Sequence, residues 1–157
     1  MIRKLLGFLL ALVPAALGAY ALASILATQT ILAQVQTLGL PVTFRDRLHA
    51  TGHDIIGLFM TYAPLILIAF LIAMPVGIWL SNRYKDYSAE FLGLAGFTAV
   101  LALHLIMKQT LGVNGIAAAR EVIGLLLQGA AGAFGGFLYY VFSGRANTKS
   151  SNPTPAM

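Results

Sequence analysis

Few side chains in this sequence could do chemistry, and those few are spaced in a pattern. His49 and His53 stand four residues apart, with Asp54 beside the second; His104 and Lys108 repeat the spacing, and Arg120, Glu121 and Gln128 follow. A four-residue step returns to the same helical face. His49, His53 and a third imidazole from His104 would therefore offer nitrogen ligands to Zn, Cu or Fe. His53 and His104 alone could hold a haem between them. No tighter metal signature such as H-E-x-x-H is present. The wider set of His53, Asp54, His104, Lys108, Arg120, Glu121 and Gln128 has other uses. It could line a wet polar vestibule, contact a quinone or lipid, or pair acid with base across helices in a purely structural role. The residue types leave these readings open.

Catalytic arrangements are hard to find. The sequence has no G-x-S-x-G, no phosphate loop and no paired carboxylates within an apolar run, so no catalytic residue is expected. Cysteine is absent, which removes disulfides, thiolate metal sites and thiol nucleophiles.

The elements that must position these residues are set by composition. The chain of 157 residues is 59% hydrophobic and 10% charged, with a mean hydropathy of +0.83. Soluble domains carry about 25% charged residues, and a surface this apolar would not stay dispersed in water. A single all-helical membrane domain over 1–144 is expected, its four spans near 5–37, 55–80, 91–110 and 120–142, each able to supply the ~20 apolar residues a crossing needs; in the first these lie in 5–27, and the helix continues through the more polar TQTILAQVQT. Membrane strands would alternate lipid-facing and lumen-facing residues, and these runs do not. Residues 145–157 read as a flexible cytoplasmic tail. The opening MIRK and the apolar run after it also resemble a signal peptide, but the run is longer than such a segment needs.

Orientation follows from basic residues in short loops. Arg3, Lys4, Arg83, Lys85, Arg145 and Lys149 lie on one side, and Arg45, Arg47, Lys108 and Arg120 on the other. The excess places both termini in the cytoplasm of a bacterial-type inner membrane. The net charge of +5 is then a topology signal spread over loops, and no nucleic-acid partner is expected.

Two further patterns bear on assembly. His53-Asp54-Ile55-Ile56-Gly57-Leu58 resembles Arg120-Glu121-Val122-Ile123-Gly124-Leu125, and QTLGL before the first resembles QTLGV before the second. Two tandem helical hairpins related by a pseudo-two-fold along the membrane normal would explain both matches. In that arrangement Asp54 and Glu121 sit in the first turn of inbound helices, where the dipole favours an acid. Glycines at 57, 93, 124, 132 and 136 suit close helix crossings, within one chain or between copies. PVTFRDRLHATGHD further reads as an amphipathic surface helix. The leading expectation is a structural or assembly subunit of a homo-oligomer or larger membrane complex. Metal, haem, quinone or lipid binding at the outer cluster is the alternative, and an oligomeric channel or transporter component the third.

Overall fold

In a computed structural model that describes residues 2–111 and 122–144, every regular element is helical. The order is α1 (Ile2–Thr37), α2 (Phe44–Gly57), α3 (Phe59–Arg83), a single 3-10 turn (Lys85–Tyr87), α4 (Ser88–Leu111) and α5 (Val122–Phe142). Four segments are long and apolar enough to cross a membrane: Leu5–Thr37, Phe59–Arg83, Lys85–Thr110 and Val122–Phe142. Helices suit that setting because each backbone group is bonded within its own segment.

The four long helices close a ring in which α1 packs on α5, α5 on α4, α4 on α3 and α3 on α1. Its interior is set by two small-residue seams. On α1, Ala11, Ala15, Ala16, Ala19, Ala23 and Ala27 are buried together with Leu12 and Tyr20. Gly135 of α5 fits against this seam: a Cβ there would lie 2.6 Å from the Ala19 methyl and 2.8 Å from the Phe70 ring. Between α4 and α5 the approach is closer still. A Cβ on Gly132 would collide with the Gly96 carbonyl, and one on Gly136 with the Leu92 carbonyl. Backbone cannot rotate aside as a side chain can, so these two positions require glycine.

The second expected span differs from what forms. The run from Ile55 to Leu80 is not one helix: it breaks at Leu58, whose own N–H donates to the Asp54 and Ile56 carbonyls. Thr61 and Tyr62 both donate to the Leu58 carbonyl, which starts α3 afresh. Two consequences correct the sequence reading. Asp54 lies in the last turn of α2 rather than the first turn of a span, so no helix N-terminus favours its charge. The phase of α3 also changes, so that a helical face counted on from His53 and Gly57 reaches the exposed Thr61, while the buried face is Tyr62, Ile66, Phe70, Met74, Gly77 and Ser81. Gly57 has open space where its Cβ would be and packs against no helix.

Register shows where the bundle ends. Gln128 of α5 bonds to Ala23 of α1, and α5 begins six residues before Gln128. At 1.5 Å per residue α5 is about 31 Å long, close to the ~30 Å of bilayer hydrocarbon. α1, with 36 residues, is about 54 Å long. Its last two turns therefore project past the start of α5, and α2 folds back along them. The reversal uses Gly39, at φ +81°, a left-handed conformation that glycine adopts without strain after a helix end. Thr43 then starts α2 with a capping box: its hydroxyl accepts from the Asp46 N–H at 3.2 Å, and Asp46 accepts from the Thr43 N–H at 2.9 Å.

Candidate functional site

The deepest polar groups meet at one level of the bundle. Gln128 is fully buried on α5, and His104 is 4% exposed on α4. The residue that joins them is Tyr62 of α3, whose hydroxyl donates to Gln128 Oε1 at 3.0 Å and faces His104 Nε2 at 3.4 Å. Gln128 Nε2 donates to the Ala23 carbonyl of α1 at 3.1 Å. His104 Nδ1 lies 2.8 Å from the Val100 carbonyl one turn back on its own helix, so it carries a hydrogen and donates it. A single chain of contacts thus runs through all four long helices. Burying such groups in an apolar interior costs a few kcal/mol each unless they find partners, and here each has found one. Tyr62 also stacks edge-on against His104 at 5.8 Å and against Tyr20 of α1 at 6.1 Å.

A second polar group lies at the edge of the bundle, where α2 meets α1. The Thr28 hydroxyl sits 2.8 Å from the Asp54 carboxylate and 3.0 Å from the Ser24 carbonyl. Two turns deeper on the same face, Tyr20 donates to the Ile55 carbonyl. Further out, Arg47 holds Gln29 at 2.6 Å and Gln36 at 2.7 Å, while Gln29 donates to the Thr51 hydroxyl at 3.0 Å. These bonds fasten α2 to the projecting end of α1. The Asp46 carboxyl is held below its ordinary range by the Thr43 hydroxyl and backbone N–H.

The residues expected to converge divide between these places. His104 and Gln128 belong to the central chain, and Asp54 belongs to the edge group. His53 stands beside Asp54 at 3.7 Å with its ring 77% exposed. His49 is exposed on α2, and Lys108 is exposed on the last turns of α4. Arg120 and Glu121 lie outside the described residues, as does the tail. The three histidines do not gather as a metal or haem site would require: two face outward on α2, and the third is bonded inside the bundle. Among the described residues no group of three His, Asp or Glu side chains could hold a metal ion.

Of the expected packing glycines, Gly132 and Gly136 meet α4 backbone. Gly93 has the Ala133 carbonyl 3.7 Å from where its Cβ would be, and Gly124 is buried. The sequence reading passed over Tyr62, Tyr20, Thr28 and Gly96. Tyrosine inside an apolar run was the available signal, since its hydroxyl needs a partner when buried. Compared with family models, with curated proteins and with solved structures, the chain matches none.

Proposed function

We propose that this protein is a structural or assembly subunit of a membrane complex, or of a homo-oligomer, rather than a catalyst. One contrast carries the reading. At depth Tyr62, Gln128 and His104 are engaged with one another, while the hairpin of α1 and α2 that projects from the bundle exposes Leu38, Leu40, Phe44 and Leu48. Apolar side chains along a lipid-facing span need no further explanation; on a segment projecting past the hydrocarbon they mark a contact surface. The spans anchor the chain, and the hairpin is the part offered to a neighbour.

The finer reading has both termini in the cytoplasm of an inner membrane and the hairpin on the outer side. The ring order supports a pseudo-two-fold, because α1 stands opposite α4 and α3 opposite α5. Reporters fused after Pro41 and after Thr148 should score on opposite sides of the membrane. The assembly claim is tested by mass measurement of the full chain in mild detergent and by cross-linking in native membranes. Phe44→Asp with Leu48→Asp should reduce the assembled mass while the helical content stays unchanged. A wild-type chain that is monomeric and uncross-linked in both settings contradicts the proposal.

A quinone- or lipid-type ligand is the second reading, favoured by one observation. The Ser24 hydroxyl, in α1 between Tyr20 and Thr28, is buried without a hydrogen-bond partner. Extraction of the purified protein followed by mass spectrometry would reveal a stoichiometric ligand, and Ser24→Ala should then lose it.

A further inference from the structure

The buried chain from α1 to α4 is one hydrogen short. It has carbonyl acceptors at both ends, Ala23 on α1 and Val100 on α4, and four contacts between them. Each contact needs one hydrogen. The Gln128 amide points its nitrogen at Ala23 and its oxygen at Tyr62, so it supplies one. The Tyr62 hydroxyl supplies one, and a neutral His104 ring supplies one. Three hydrogens cannot serve four contacts.

Rearranging the groups does not remove the deficit. With Nδ1–H donating to Val100, the Nε2 lone pair of His104 faces a hydroxyl whose hydrogen is already given to Gln128. That contact is the longest of the four at 3.4 Å, as expected where no hydrogen lies between the two atoms. Flipping the Gln128 amide frees the Tyr62 hydrogen for His104 but sets the amide oxygen against the Ala23 carbonyl. Moving the ring proton to Nε2 sets the bare Nδ1 against the Val100 carbonyl, 2.8 Å away. Only a hydrogen on both ring nitrogens gives every contact a donor and an acceptor.

We propose that His104 is a buried proton-binding site. The added proton goes to Nε2, no covalent bond breaks, and Nε2–H then donates to the Tyr62 oxygen while Tyr62 continues to donate to Gln128. The groups that face the ring are Tyr62 from α3 and, through it, Gln128 from α5 and Tyr20 from α1. Lys108, one turn further along α4, is exposed. The ring has no carboxylate partner among the described residues, so the hydrogen-bonded chain itself must carry the charge. Proton uptake would stiffen the one contact system shared by all four long helices, and the bundle would thereby sense pH at membrane depth. This goes beyond the assembly reading and does not depend on it.

The test is nitrogen-15 spectroscopy of the full chain in lipid nanodiscs, labelled at histidine and scanned over about pH 4 to 9, a range that brackets ordinary imidazole titration. His49→Gln and His53→Gln in the background leave His104 as the only signal. The expected result is a ring that is neutral with Nδ1–H at the alkaline end and doubly protonated at the acid end, with the bundle still folded. Gln128→Leu releases the Tyr62 hydrogen to Nε2, satisfies the neutral ring, and should lower the doubly protonated fraction at the acid end several-fold. Tyr62→Phe removes the acceptor and should do the same; if that variant does not fold, Gln128→Leu decides. A wild-type ring that stays neutral throughout, that protonates only as the bundle unfolds, or that protonates equally in Gln128→Leu overturns the proposal.

Discussion

The seam between α4 and α5 and the hairpin of α1 and α2 hold helices together by opposite means. In the seam, Gly96, Gly132 and Gly136 bring backbone against backbone, with no hydrogen-bonding side chain at the closest points. In the hairpin nothing on α2 is buried, and Arg47, Gln29, Gln36, Thr51, Thr28 and Asp54 supply the adhesion. The difference follows from the surroundings. Lipid gives helices no hydrophobic reason to associate, so close contact between small residues must do so. On the proposed topology the hairpin lies beyond the bilayer, where water competes for every polar bond and leaves each with a net value of only about 1 kcal/mol. The seam should therefore be rigid and intolerant of change, and the hairpin adjustable.

The sharpest way to break this contrast is to load the seam. Gly132→Leu places a side chain on the Gly96 carbonyl, where only helix separation can make room, and should destabilise the fold by about 3 kcal/mol or more. Gly57→Ala, in open space at the end of α2, should change stability by less than about 0.5 kcal/mol. Thermal unfolding in a fixed detergent compares the two, and equal midpoints would remove the distinction. A smaller effect is expected from Arg47→Ala, which releases Gln29 and Gln36 together. Hydrogen exchange should then quicken across α2 while α4 and α5 keep their protection; a global loss would show that the hairpin is integral to the bundle.

The smallest effect concerns the α2 cap. Asp46 has its pKa depressed by Thr43, so the folded state binds this proton less readily than the unfolded chain does. Its contribution is present above the ordinary value of 3.8 and fades as pH falls below it. Amide protection at Arg45 to Arg47, taken relative to intrinsic exchange at each pH, should fall on acidification and become less pH-dependent in Asp46→Asn.

Much of the seam was legible in the sequence and little of the edge was. Apolar runs mark spans by length alone, and α5 shows its buried face through Gly124, Gln128, Gly132, Gly135 and Tyr139 at helical spacing. The break at Leu58 left no such mark. It falls between two apolar residues, and it shifts the helical phase so that Tyr62 turns inward in place of Thr61. Counting from His53 puts the wrong face toward the core; counting from Tyr62 through Ile66 and Phe70 gives the observed one. Gly93 and Gly96 pose a related difficulty, because both lie on α4 at plausible spacing and only the crossing point decides which meets Gly132. Charge misled in a different way. His53, Asp54 and Lys108 lie near one end of the bundle, but nearness along the membrane normal does not place groups in one cluster when α2 stands outside the ring.

The central claim is that Tyr62 and Gln128 form a working link between helices at the core of the bundle. A double-mutant cycle of Tyr62→Phe and Gln128→Leu, read as unfolding free energy of the full chain in one detergent, measures that link directly. The account predicts a coupling of about 1 to 2 kcal/mol, with the double variant less damaged than the two single losses added together, since Tyr62→Phe alone strands the buried Gln128 oxygen that Gln128→Leu removes. Additive losses, agreeing within about 0.3 kcal/mol, would mean that the two side chains are merely neighbours and would contradict the account.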